Sequence, residues 1–335
     1  MKKTSVFSLF VVVLVCACSF EAAVPKYVGN AGSPPELLEV RVSSSSEVNF
    51  LFSEPVSVVS VTFDPPAGLL DPASGETVSV QLDAPYAVGT KVTADILVRN
   101  GEGSTLEAVL TFAAFNDRVP VFRITEMRTE MSKPRVEFIE LKMLTAGNLA
   151  GVRLFIASNG TGRPVYEFPA VEVSAGEYVV LHPRNPDYIN GVDETGDDLA
   201  RSTADDAKAQ ADCPQNVRDL WFPDNKEALR KSDAVYFMDQ MDAIIDAVVF
   251  CDKAKEIEKW SGNPHFINAM EILTATGAWN GGNGGSGIDG VFDSSGTSPT
   301  NTICRRENAS DTNTATDWYK SGSGKASPGK PNALP

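Results

Sequence analysis

Histidine is scarce in this chain. His182 and His265 are its only two, among 335 residues that also hold 44 carboxylates and five cysteines. His182 ends an apolar run before Pro183, and His265 follows Pro264 where a helix would start. A two-histidine metal site needs both rings brought together with carboxylates, and nothing in their spacing asks for that. The chain has no Gly-x-Ser-x-Gly elbow, no Gly-x-x-x-x-Gly-Lys-Ser/Thr phosphate loop and no His-Glu-x-x-His helix. The inventory therefore assigns no catalytic residue, no metal and no cofactor, and the expectation is a protein that is not an enzyme. Paired carboxylates are the exception, because hydrolysis by two acids depends on their separation in space, which a sequence does not show. Acid-rich loops at 193–206 and around Asn283, Asp289 and Asp293 offer oxygen donors to calcium, but without EF-hand spacing.

The cysteines divide into two sets. Cys213, Cys251 and Cys304 lack zinc-site spacing, and an exported chain meets an oxidising compartment, so one disulfide with one thiol left over is expected. Cys213 lies just before a strand at 217–222 and Cys251 just after one at 243–250, both near turns. Cys213–Cys251 is the expected pair, with three buried thiols as the alternative. The other two, Cys16 and Cys18, end an N-terminal segment with Lys2 and Lys3 at its start and an apolar run from Val6 to Val15, too short to span a bilayer comfortably. Val15-Cys16-Ala17-Cys18 resembles the lipobox of bacterial lipoproteins. Ala17 suits the position before the cut, which makes Cys18 the expected lipid-attachment residue. An ordinary signal peptide cut near Ala22-Ala23 is the alternative. Anchoring through several acyl chains would be firm.

The formal charge is −15, and removing Lys2 and Lys3 with residues 1–17 leaves 27 basic against 44 acidic residues, or −17. Such a field repels phosphate backbones, and no basic patch interrupts it, which excludes nucleic acid as an expected partner.

Residues 18–35, with Gly29, Gly32, Ser33, Pro34 and Pro35, read as a tether. Residues 36–117 carry alternating apolar runs, LLEVRV, EVNFLFS, VSVVSVTF, ETVSVQL, KVTADILV and TLEAVLTFA, each a strand candidate. The phrase Phe52-Ser53-Glu54-Pro55-Val56 before a Gly-Thr-x-Val-Thr strand resembles small immunoglobulin-like domains of bacterial surface proteins. Asn116-Asp117-Arg118 reads as a short hinge. Beyond it, VFRIT, VEFIEL, GVRLFIA, VYEF and EYVVL are five short strands bounded by turn residues.

Their order resembles the lamin-tail domain, an immunoglobulin-like sandwich. Ile124-Thr125-Glu126, Glu137-Phe138-Ile139-Glu140-Leu141, Leu149 to Phe155, Asp246, Arg305, Asp317-Trp318 and Ser327-Pro328-Gly329-Lys330-Pro331-Asn332 carry the likeness over 118–335. It implies an all-β fold with two immunoglobulin-like β-sandwiches in series, closed by residues 305–332. That family's fold serves many attachments and names no reaction.

Two insertions exceed the family pattern. The acidic one, 190–212, lacks apolar periodicity and reads as a surface loop. The helical one, 252–290, carries Trp260, Phe266, Met270 and Trp279, residue types that anchor interfaces. These four are the candidate interface, with capping of the sandwich core as the alternative. Taken together, the chain is expected to be a bacterial lipoprotein of the cell envelope, held by its lipid at a membrane outside the cytoplasm (outer membrane or cell surface). Its expected role is a non-enzymatic binding or adhesion module for an envelope protein, a glycan or a host ligand. A structural accessory of an envelope complex, or an extracytoplasmic hydrolase, is the alternative.

Overall fold

The structure is a computed structural model that describes residues 26–27, 33–70, 72–160, 162–202, 211–223, 229–281 and 287–333. The signal segment 1–17, Cys18 and most of the tether lie outside the described residues. The fold is all-β, two immunoglobulin-like sandwiches in series with a small helical insertion in the second.

The first sandwich comprises β1 (Lys26–Tyr27), β2 (Leu37–Ser44), β3 (Glu47–Asp64), β4 (Gly75–Gln81), β5 (Lys91–Asn100) and β6 (Thr105–Ala113). EVNFLFS and VSVVSVTF, expected as two strands, form the single 18-residue strand β3. Its first half pairs with β2 and β4 and its second half with β5, so one strand serves both layers. The handover comes between Leu51 and Val56, where the β4 register breaks. Pro55, which has no N–H to donate, occupies that break, the place in a strand where proline is tolerated. Val92, Ala94, Ile96 and Val98 on β5, with Leu106, Ala108, Leu110 and Phe112 on β6, turn their period-two apolar faces into one core.

Asn116, expected in a hinge, is pinned. Its amide donates to the carbonyls of Asn148 (2.7 Å) and Ala150 (2.9 Å), and its N–H donates to Gln240 Oε1 at 2.7 Å.

The second sandwich begins with β7 (Phe122–Arg128), β8 (Phe138–Met143), β9 (Gly147–Asn148), β10 (Arg153–Ile156), β11 (Tyr166–Glu167), β12 (Glu172–Val173) and β13 (Tyr178–His182). It continues with β14 (Arg218–Trp221), β15 (Asp233–Met238), β16 (Ile244–Cys251), β17 (Phe292–Asp293), β18 (Ile303–Arg305) and β19 (Trp318–Lys320). One sheet runs β11-β10-β15-β16-β17, the other β14-β13-β8-β7-β18-β19, and β9 with β12 forms a small ladder. Ile139 and Leu141 on β8, Val179 and Leu181 on β13 and Leu220 on β14 face the shared core. Their neighbours Glu140, Val180, His182, Asp219 and Trp221 are buried as well, so the opposite face of this sheet is also covered.

The cover comes from two segments. The first is Ser327–Asn332. Ser327 N–H donates to Glu126 Oε2 at 2.9 Å, and Gly329 N–H donates to Glu140 Oε2 at 2.5 Å. The Asn332 amide donates to the carbonyls of Thr125 (2.8 Å) and Arg305 (3.2 Å). Gly329 has φ +79°, and a Cβ there would lie 2.2 Å from Val217 Cγ2, so only glycine fits.

The second cover is the acidic insertion, which is more than the surface loop expected. Asp197 and Asp198 are exposed, but Glu194 and Asp212 are buried. Glu194 accepts the N–H groups of Arg201, Ser202 and Asp219, and Asp212 pairs with the buried Arg128 at 2.8 Å. Donors fixed in the fold turn these acids inward, a pattern that apolar periodicity does not reveal. Residues 203–210, with Asp205 and Asp206, lie outside the described residues.

These buried acids set a pH dependence. Burial, and then the charge of Glu126, holds the Glu140 carboxyl well above its ordinary range. Burial raises Glu126 too, against the hydrogen bonds from Thr302 and Ser327. Burial also pushes Asp233 up to about 7, although Ser158 and Ala234 donate to it. For a raised carboxyl, the unfolded chain sheds its proton first. The stabilisation is full below the unfolded value of about 4 and is lost as pH rises through the folded one. Urea melts are therefore expected to show a falling unfolding free energy from about pH 4 to pH 7 and beyond. Glu140→Gln should flatten that slope, and equal slopes in the two proteins would contradict the assignment.

Candidate functional site

The helical insertion is α1 (Ile257–Gly262) and α2 (Pro264–Ala275). Pro264 takes the first turn of α2, and the Asn263 side chain accepts the His265 N–H at 2.9 Å, a cap that starts the helix there. The structure corrects the interface expectation for the aromatic stripe. Trp260, Phe266, Met270 and Trp279 are at most 5% exposed and belong to the core of the second sandwich. Trp260 stacks on Phe266 at 4.3 Å, and Trp279 Nε1–H donates to the Gly290 carbonyl at 3.1 Å. The stripe packs beside β15 and the turn at Ala157–Asn159, within the core of the second sandwich.

The final turn of the insertion shapes the surface beside β7. Thr276, Gly277 and Ala278 form one wall of a groove of about 640 Å³. Val121, Phe122 and Arg123 at the start of β7, Leu144, the 242–246 segment that opens β16, and Asp311 and Asn313 complete it. This is the size of a ligand cleft. Its charges are neutralised within the fold: Arg123 pairs with Asp311 at 3.0 Å, and Asp242 with Arg153 at 2.6 Å. Asp246 takes both oxygens to Arg305 at 2.7–2.8 Å. Two apolar side chains stand exposed on its rim, Val121 at 53% and Leu144 at 41%.

The expected Cys213–Cys251 disulfide does not form, and all three described cysteines are free and buried. Cys213 lies on the covered outer face of the six-stranded sheet, 3.8 Å from His182 Nε2. Cys251 sits in the core between the sheets and takes the Ser232 hydroxyl at 3.6 Å. The sheet itself separates them.

The structure also gathers residues whose spacing joins nothing in the sequence. The parallel pairing of β13 and β14 sets His182 opposite Trp221, so His182, Trp221 and Asp219 share the covered face. His182 Nε2 is 3.1 Å from Asp219 Oδ1, and its Nδ1 is 3.1 Å from the Glu137 carbonyl. This is not a nucleophile–base–carboxylate relay, which uses both ring nitrogens, because Cys213 and Asp219 crowd the same one. Burial and the nearby charges of Asp219 and Asp212 also hold the Cys213 thiol well above its ordinary range, the opposite of an activated cysteine.

The fold and the groove together define a class: a two-sandwich β protein whose second domain carries a surface cleft and a buried polar layer. A family model described as TP_1001_2nd, protein second domain, matches residues 120–320, and the chain belongs to that family. An uncharacterized protein of Treponema pallidum (strain Nichols) is 30% identical over 176 residues, 51% of this chain. The chain covers only 43% of that relative's length. No solved structure matches.

Proposed function

We propose that the chain is a lipid-anchored, non-enzymatic binding module of a bacterial cell envelope that takes a protein partner in the groove beside β7. The observation that carries this reading is the groove itself. It has ligand-cleft volume, exposed apolar side chains on its rim and internally paired charges, while Cys213 and His182 lie under cover. A rim of Val121 and Leu144, with no exposed aromatic in the lining, suits an extended peptide segment better than a sugar. Attachment through Cys18 at a membrane outside the cytoplasm rests on the lipobox. The lamin-tail likeness of the second sandwich is supported by the convergence of its motif residues. Asp246 meets Arg305, and Ser327, Gly329 and Asn332 close on Glu126, Glu140 and Thr125.

The test is capture of partners from the native envelope by the lipidated protein. Val121→Asp with Leu144→Asp should leave the melting temperature nearly unchanged, since exposed substitutions usually cost within about 0.5 kcal/mol, and should abolish capture. Undiminished capture by the double variant overturns the groove. Fatty-acid label persisting in Cys18→Ala overturns the anchor.

A further inference from the structure

We propose that His182, Cys213 and Asp219 form a structural zinc site that fastens the acidic insertion to the outer face of the six-stranded sheet. One atom from each side chain lies within 4.8 Å of the others. Two of the separations, Nε2 to Oδ1 at 3.1 Å and Nε2 to Sγ at 3.8 Å, are close to the edges of a zinc tetrahedron. Zinc bonds of about 2.0–2.3 Å place ligand atoms roughly 3.3–3.8 Å apart. A cation can enter between them with only small side-chain shifts.

The imidazole is set up as a ligand by what holds its far side. Nδ1 faces the Glu137 carbonyl, which can only accept, so Nδ1 carries a proton. In the neutral ring the Nε2 lone pair then points at the Asp219 carboxylate, acceptor against acceptor in a fully buried place. An extra proton resolves that conflict, and so does a divalent cation, which also draws in the sulfur. Trp221 stacks on the ring at 4.0 Å and fixes its plane, and its own Nε1–H is held by Ser202 Oγ at 3.0 Å. Ring orientation through a carbonyl on the other nitrogen is how metal-ligating histidines are positioned.

A thiolate with an imidazole selects zinc over calcium or magnesium, which prefer all-oxygen sets. Binding forms Zn–N, Zn–S and Zn–O bonds and releases the thiol proton to solvent. Three protein ligands leave a position for a water. Because the ligands are at most 5% exposed, substrate does not reach it and the role is structural. The ligands come from the end of β13, the residue that follows the insertion, and β14, so the metal would fasten the insertion's C-terminal end to the sheet.

The experiment uses the full-length protein in detergent, stripped by a chelator and titrated with Zn²⁺ or Co²⁺ alone. One Zn²⁺ per chain and a melting temperature raised by several degrees are expected. The Co²⁺ protein should show thiolate-to-metal charge-transfer absorption. Cys213→Ser should remove that band and weaken binding about ten-fold or more, while Cys304→Ser keeps the band. Should Cys213→Ser not fold, the Co²⁺ spectra of the parent and of Cys304→Ser still decide the question. Absence of bound metal, or bound Co²⁺ without a thiolate band, overturns the site.

Discussion

Asp246→Ala is expected to lower the stability of the second sandwich by about 3–5 kcal/mol, the cost of breaking a buried ion pair from one side. Asp246 is 7% exposed and Arg305 3%, and the carboxylate takes the guanidinium Nη2 with both oxygens. It also accepts the Ile124 N–H at 2.6 Å, while Arg305 Nε–H donates to the Ile124 carbonyl at 2.8 Å. The pair thus bridges β16 in one sheet to β7 and β18 in the other. Removing the acid leaves a buried cation whose remaining acidic neighbour, Asp311, stands 2.8 Å from Nη1 but out of hydrogen-bond alignment. It also orphans a buried N–H. All four tryptophans lie in this domain, so tryptophan fluorescence in urea follows it without the first sandwich. Asp246→Leu combined with Arg305→Met should recover much of the loss, because apolar replacement of both partners is often neutral. A loss below about 1 kcal/mol for Asp246→Ala would mean that the pair is only a surface-grade contact.

Trp279→Ala is the second large expectation, again about 3–5 kcal/mol, as for other buried aromatics cut to alanine. The ring is 0% exposed, its N–H is satisfied by Gly290, and its own backbone N–H caps the end of α2 on the Leu273 carbonyl at 3.0 Å. The variant should unfold at lower urea yet still capture partner below its own transition, because Trp279 does not line the groove. Unchanged stability together with lost capture would restore the aromatic stripe as the binding surface.

Much of the architecture was legible because strand alternation is a local property. β5 and β6 could be read residue by residue from their period-two apolar positions. What failed depended on context beyond the neighbouring residues. Glu54-Pro55 divided two strand candidates, whereas β3 runs through it and changes partner there. Trp260, Phe266, Met270 and Trp279 are the same residue types whether they anchor an interface or plug a core. Only the packing around them decides between the two. His182 and Asp219 meet through a parallel register across a long insertion, and no spacing encodes that pairing. The single local hint was the short apolar run Leu220-Trp221-Phe222 after a polar stretch. The groove was illegible for a similar reason. Its walls come from five separate segments, and two of its exposed members, Val121 and Leu144, are ordinary apolar residues at strand ends.

The clamp at 327–332 also imposes a schedule. The first sandwich has every strand it needs once Ala113 has been made, and its contacts can form at once. The second depends on Ser327 reaching back 201 residues to Glu126 and Asn332 reaching 207 residues to Thr125. At synthesis rates of about 5–20 residues per second, β7 must wait roughly ten to forty seconds for its last partners. Until then β7 and β8 can pair with each other, but Glu126 and Glu140 lack the main-chain donors that hold them in the finished sandwich. The same two acids that weaken the finished sandwich at neutral pH are thus the ones whose main-chain donors arrive last.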